Sequence, residues 1–313
     1  MDHLAVIGAG SVGTSIAFAA LTRGVAQRIS LYDVDSGKVR DEVLDLRHGL
    51  EFVRPAMIDG SDDIAVCAGA DVVVLTAGAK QKPGESRLDL ATRNARILHA
   101  LLPSLMAVAP DALTLLVTNP VDVLTNLAIR ITGKDDGTVL GSGTVLDSSR
   151  LRHLLASIYG VAERHVHAHV VGEHGDSETV LWSTARIGGA PLDLVPTREG
   201  GILDQSDRDR IADQVRNAAY EIIAGKGATT WAISLATTQI LGALDQTTNA
   251  SVLPVSATID PELGLGPWCV SLPRLVDRGG AGTILPLTVS DSELEAIRAS
   301  SAEVRRNFEA LTD

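Results

Sequence analysis

Apolar residues along the chain gather into short unbroken runs at residues 4–7, 29–33, 71–76 and 113–118, with a shorter one at 138–140. Runs of this length without alternation suit strands covered on both faces, the condition of a parallel sheet. Between them the pattern takes on a helical period, beginning with residues 14–20. Strands alternating with helices predict an α/β architecture, a doubly wound parallel sheet whose ligand edge lies at the carboxyl ends of its strands. Gly141-Ser142-Gly143 interrupts the alternation, so the first domain is expected to end at residue 141.

Residues 142–313 mix their elements and predict an α+β domain. A helix over 145–155 is stopped by Gly160, and residues 164–171 alternate as a strand. Gly200-Gly201 marks a loop, a long helix follows over 207–224, and Gly225-Lys226-Gly227 is expected to break it. The next helix is expected over 228–244, with Thr229, Thr230 and Trp231 in its first turn. Strands are expected at 250–258 and 268–271. Ser290-Asp291-Ser292-Glu293 has the form of a capping box, and Leu294, Ile297, Val304, Phe308 and Leu311 line one side of the helix it opens. No internal repeat or long linker is visible.

Composition narrows what the chain can bind. It has 313 residues with 45% apolar content, ample for a sizeable core. A formal net charge of -12 argues against nucleic acid or anionic membrane as partners, because those surfaces need clustered Lys and Arg. An anionic ligand must then be caught by locally placed cations. Cys67 and Cys269 are the only cysteines, too few for a disulfide framework, which suits a reducing compartment. With no signal peptide or membrane-length apolar run in view, a cytoplasmic location is expected.

The first strand feeds Gly8-Ala9-Gly10-Ser11-Val12-Gly13, a G-x-G-x-x-G run opening a helix. Gly8 permits the tight turn, Gly10 lets backbone approach a pyrophosphate, and Gly13 allows close helix-to-strand packing. This makes the first domain, residues 1–141, a Rossmann dinucleotide-binding unit. Asp33 ends the second strand twenty residues beyond Gly13, the spacing of a carboxylate that accepts hydrogen bonds from an adenosine ribose. It favours NAD over NADP, whose 2'-phosphate it would repel.

Asn119-Pro120 follows the strand at 113–118, so Asn119 stands at the ligand edge or caps the next helix. Residues 77–87 form a polar loop with two glycines and a proline over that edge, either a mobile lid bearing Arg87 or an ordinary solvated loop. Asp147 and Arg150, three apart, share a helix face, and a surface ion pair accounts for them equally. The run Val170-Val171-Gly172-Glu173-His174-Gly175-Asp176 leaves an apolar strand and presents a histidine between two carboxylates, a candidate for proton transfer. His165, His167 and His169 alternate on one expected strand. Same-face neighbours lie about 7 Å apart, too far to converge readily on one ion, so no metal site is expected.

Five motifs in order resemble the L-lactate and malate dehydrogenases over essentially the whole chain, and within them the bacterial L-lactate dehydrogenases. They are Gly8-x-Gly10-x-x-Gly13, Gly84-Glu85-Ser86-Arg87-Leu88, Val117-Thr118-Asn119-Pro120-Val121-Asp122, Leu146-Asp147-Ser148-Ser149-Arg150 and Gly172-Glu173-His174-Gly175-Asp176. The resemblance implies an α+β catalytic domain over residues 142–313 and reversible reduction of pyruvate to L-lactate by NADH. It makes His174 the acid/base, held by Asp147, and Arg150 the two-pronged clamp on the substrate carboxylate. Arg87 would polarise the carbonyl, Asn119 would hydrogen-bond substrate, and Thr229 would line the pocket. Cofactor contacts are implied at Gly8, Gly10, Val12, Gly13, Asp33, Lys38, Gly78, Ala79, Val117, Asn119 and Ser142.

Gln81 bears on the substrate. Malate dehydrogenases of this superfamily carry arginine at the matching place, where it pairs with the second carboxylate of oxaloacetate. Glutamine would leave that carboxylate buried unpaired, enough for discrimination on the order of a thousandfold. Arg152 and His167 match the residues that bind fructose 1,6-bisphosphate in activated bacterial members, which implies an allosteric homotetramer active in glycolysis and fermentation. Lys80 and Ala228 stand where vertebrate members have arginine and tyrosine. The chain begins seven residues before Gly8, so the vertebrate N-terminal arm is expected to be missing. The competing readings are a malate or other 2-hydroxyacid dehydrogenase, a glycosidase using NAD and a divalent metal, and a non-catalytic NAD-binding module.

Overall fold

The computed structural model of the chain describes residues 1–79, 87–134, 136–260, 264–286 and 288–312. The first half runs β1 (His3–Ile7), α1 (Ser11–Arg23), β2 (Arg28–Tyr32), α2 (Ser36–His48), β3 (Met57–Ser61), β4 (Val72–Leu75), α3 (Arg87–Val108), β5 (Leu113–Leu116), α4 (Val121–Thr132) and β6 (Val139–Gly141). These six strands lie side by side in the order 3-2-1-4-5-6, all parallel, the arrangement of a Rossmann sheet. β1 explains the period-two logic of its burial. Leu4 and Val6 join the core on one face, and Ala5 and Ile7 the core on the other. Strand β3 escapes the hydropathy pattern because it is an edge strand with Ile58 as its one fully buried residue.

The second half continues with α5 (Val145–Tyr159), β7 (Val166–His167), β8 (Val170–Val171), β9 (Thr179–Val180), β10 (Arg186–Ile187), β11 (Ala190–Pro191), α6 (Gln205–Lys226), α7 (Trp231–Leu244), β12 (Ser251–Leu253), β13 (Ser256–Thr258), β14 (Cys269–Ser271), β15 (Arg274–Asp277), β16 (Gly280–Ile284) and α8 (Asp291–Thr312). Strands β13 and β14 extend the main sheet beyond β6 in antiparallel sense, so its eight strands draw on both halves of the chain. Helix α8 opens with the expected reciprocal cap. Ser290 N–H donates to Glu293 Oε2 at 2.9 Å, and Glu293 N–H to Ser290 Oγ at 3.3 Å. Ile297, Val304 and Phe308 then pack into the core on the Ala5 and Ile7 face. No described helix is long and apolar enough to cross a membrane.

Several expected elements differ. The strand expected over 164–171 divides: residues Glu163–His165 form a tight helical turn, β7 pairs with β10, and β8 pairs with β9. The three alternate histidines therefore do not share one strand. Helix α6 continues through Gly225 and Lys226 and stops only where Gly227 takes a left-handed φ of 84°. Helix α7 begins at Trp231, with Thr230 as its N-cap, so Thr229 precedes the helix rather than lying in its first turn. The strand expected over 250–258 becomes β12 and β13 in two different sheets, parted by Pro254, which has no N–H for a ladder.

Candidate active site

Two sets of residues meet at the carboxyl edge of the sheet. The first is the glycine turn after β1. Gly8 has φ of 104°, and a Cβ there would lie 2.8 Å from Ala77 N; a Cβ on Gly13 would lie 1.9 Å from Gly8 O. Neither position admits a side chain. A Cβ on Gly10, by contrast, meets nothing nearer than Lys38 Nζ at 4.0 Å. The amino end of α1, N-capped by Gly10 without a side-chain bond, is thus open to a pyrophosphate. Asp33 follows β2, accepts the Ala9 N–H on Oδ2 at 2.8 Å, and lies 3.7 Å from Lys38 Nζ. Its carboxylate both braces the glycine turn and stands where a ribose would be recognised.

Gly78 packs on Thr118, whose Cγ2 is 2.4 Å from where a Cβ would stand. Ala79 N–H donates to Asn94 Oδ1 at 2.7 Å, and Asn94 Nδ2 donates to the Asn119 carbonyl at 2.7 Å. Asn94, buried in α3, thereby ties the segment after β4 to the segment after β5. Sequence reading missed it, because one amide inside a helical run carries no signal. Asn119 itself does not cap α4, whose N-cap is Pro120. Val12 lies in α1, and Val117 and Ser142 follow β5 and β6 at the same edge.

The second set surrounds a cavity of about 130 Å³ walled by Asn119 and Pro120, by Asp147 and Arg150 of α5, by the His174 loop, and by Arg216, Ala219, Tyr220 and Ile223 of α6. After β8 the chain turns through Gly172, whose φ of 91° and bridge to Ser271 aim the loop into this cavity. His174 is then fixed twice. Its backbone N–H donates to Asp122 Oδ2 at 2.7 Å, and its Nδ1 lies 2.7 Å from Asp147 Oδ2. A carboxylate acceptor places the proton on Nδ1 and leaves Nε2 outside that bond. The other oxygen of Asp147 accepts Arg150 Nη1 at 2.7 Å.

Charge and burial set the protonation states here. Burial alone would push the His174 imidazole down, but the charge and hydrogen bond of Asp147, with Glu178 and Asp122 nearby, raise it to about 9. Burial opposes ionisation of Asp147 as well, yet His174 and Arg150 hold its carboxyl below the usual range. Burial raises Asp122 to about 7 in spite of the Ser256 hydroxyl and the His174 N–H. Burial and the charge of Asp147 raise Glu178 to about 8, against the pull of His174, Arg216 and Arg150. Asp122 closes one of the quoted motifs without a role there, and Glu178, Arg216 and Tyr220 went unnoticed, because only the fold brings them to His174.

Asp147, His174 and Glu178 offer ligand atoms within 4.8 Å of one another. Both oxygens of Asp147 are committed to His174 and Arg150, so an ion pair accounts for the grouping. Thr229 is not among the described walls of the cavity. Gln81, Lys80 and the rest of the loop to Ser86, together with the side chain of Arg87 at the start of α3, lie outside the described residues. Away from the cavity, Arg152 Nη1 donates to the Ala168 carbonyl at 3.3 Å and His167 is exposed on β7. Burial, with Arg152 and His167 beside it, pushes His169 down to about 4.

A Rossmann cradle with a bracing Asp33, facing a half-buried histidine paired with a buried aspartate and an arginine, defines a nicotinamide-dependent oxidoreductase. Family models described as "lactate/malate dehydrogenase, NAD binding domain" and "lactate/malate dehydrogenase, alpha/beta C-terminal domain" match residues 2–141 and 144–313. The chain belongs to the lactate/malate dehydrogenase family and is an NAD-dependent oxidoreductase. It is 46% identical over 305 residues to an L-lactate dehydrogenase of Bifidobacterium animalis subsp. lactis, covering 96% of this chain and 94% of that one. To the L-lactate dehydrogenase of a Synechococcus strain it is 44% identical over 308 residues, 98% of each chain. The crystal structure of a minor L-lactate dehydrogenase from Enterococcus mundtii superposes with a TM-score of 0.93 at 36% identity over 98% of both chains. A lactate dehydrogenase from a Medee basin deep-sea metagenome library gives 0.93 at 34% identity, over 100% of this chain and 99% of that one.

Proposed function

We propose that this enzyme is an L-lactate dehydrogenase that reduces pyruvate to L-lactate reversibly, with His174 as the proton donor and acceptor. The observation that carries this reading is the 2.7 Å pairing of His174 Nδ1 with buried Asp147, which keeps the imidazole protonated at neutral pH. The proton that leaves Nε2 goes to the keto oxygen and returns in lactate oxidation. Bound NADH would supply the hydride. Arg150 gives one donor to Asp147 and keeps its others for the substrate carboxylate. Asn119 hydrogen-bonds the substrate, Arg87 stabilises the developing alkoxide, Gln81 excludes a second carboxylate, and Thr229 contributes to the pocket.

Fructose 1,6-bisphosphate is the proposed activator, bound through Arg152 and His167. Support comes from Arg152, which bonds the Ala168 carbonyl and has no acidic partner among the described residues. A homotetramer is proposed with it. Phe18 on α1 and Trp231 and Leu235 on α7 are exposed apolar residues on helices that pack together, as an assembly surface requires. Such an enzyme would work in the cytoplasm, closing glycolysis by fermentation. Loss of NADH absorbance on adding pyruvate, with no metal supplied, is the expected result. No loss with or without the bisphosphate would contradict the reading.

A further inference from the structure

Glu178 stands in the cavity wall and takes no part in the roles above. It is 7% exposed, and its backbone N–H turns back to the Gly175 carbonyl at 3.2 Å. Its carboxyl shares a 4.8 Å neighbourhood with those of Asp147 and the ring of His174. Asp147 already has Arg150 and His174 as partners, so Glu178 is a second buried acid at one imidazole, a costly arrangement. The charged groups around the pair are Asp147 and Arg150 on α5, Arg216 on α6, Asp122 on α4 and Asp176 in the same loop. Asp176 Oδ1 accepts the Tyr220 hydroxyl at 2.8 Å.

We propose that Glu178 is a positioning residue for proton transfer: its buried carboxyl acts through His174, not on the substrate, and sets the pH at which the imidazole exchanges its proton. This rests on the reading of His174 as proton donor and acceptor. When Glu178 carries a proton, the cavity holds one negative charge fewer to compete with an incoming carboxylate for Arg150 and Arg216. When it is ionised, its charge keeps the proton on His174. The carboxyl lies in the same 4.8 Å neighbourhood as the imidazole, so its charge bears directly on the proton that His174 holds. Glu178 exchanges its own proton with solvent, and the proton delivered to substrate is that of His174.

Glu178→Gln keeps the shape and removes the charge. Its effect is read by NMR titration of isotope-labelled histidine, the His174 signal being assigned by its loss in His174→Gln. The His174 midpoint should fall by about one pH unit. The alkaline limb of kcat/KM for pyruvate should fall equally, with NADH binding unchanged. Glu178→Asp retains but retracts the carboxyl and should shift the midpoint the same way by less; it replaces the glutamine variant should that one not fold. An unchanged midpoint overturns the proposal. A lowered midpoint in a protein that does not reduce pyruvate upholds the hold of Glu178 on His174 and overturns the substrate reading instead.

Discussion

Asp147 divides its two carboxylate oxygens between His174 and Arg150, each at 2.7 Å. One buried acid therefore orients the proposed proton donor and the proposed anion clamp together, and its side chain is only 2% exposed. Asp147→Asn leaves the shape but cannot support an imidazolium. The expected outcome in steady-state assays is a loss in kcat/KM for pyruvate of roughly a hundredfold or more, with its alkaline limb moved to lower pH.

Stability should fall as pH rises, and the direction follows from three groups. His174 is raised from 6.5 to about 9, so its contribution is fully present below 6.5 and lost as pH climbs through about 9. Asp122 and Glu178 are raised from 3.8 to about 7 and from 4.5 to about 8. The folded state holds their protons where the unfolded chain has released them, so they also lower stability through those windows. Acids held low by partners, Asp147 and Glu293, act the other way but only near and below their ordinary values, and His3 and His169, held low by burial, do so only up to about 6.5. Urea midpoints of the cofactor-free protein should be lower at pH 9 than at pH 6, and equal midpoints would contradict the assignment.

Arg150→Lys tests the clamp. Lysine keeps the charge but cannot bond Asp147 and a carboxylate in fork geometry at once. The KM for pyruvate should rise by roughly a hundredfold, about 2.7 kcal/mol, while NADH affinity measured by fluorescence stays at the wild-type value.

Asp33 braces the Ala9 N–H at 2.8 Å, and its expected second duty is to repel a 2'-phosphate. Asp33→Ser should raise the NADPH to NADH ratio of kcat/KM by about tenfold or more, some 1.4 kcal/mol. Part of that change should appear as weaker NADH binding, since the glycine turn loses its brace.

The cradle was legible in sequence because its constraints are local. Gly8 and Gly13 are dictated by backbone approach within one turn, and Asp33 by a fixed strand length. His174, Asp147 and Arg150 were legible as separate candidates, and the family resemblance joined them; their contacts span 27 residues of chain for the His–Asp pair. Asp122 and Glu178 reach His174 only through tertiary folding, so no spacing announces them. The misplaced start of α7 and the divided strands at 164–171 and 250–258 have a common cause. Short elements get their stability from packing, and the positions of Gly227 and Pro254 decide boundaries that hydropathy alone does not.

The most direct test is the ratio of kcat/KM for pyruvate to that for oxaloacetate with NADH, measured with and without fructose 1,6-bisphosphate. An L-lactate dehydrogenase with glutamine at position 81 should favour pyruvate by on the order of a thousandfold, and Gln81→Arg should move that preference towards oxaloacetate. Equal values for the two keto acids, or a preference for oxaloacetate in the unaltered enzyme, would contradict it.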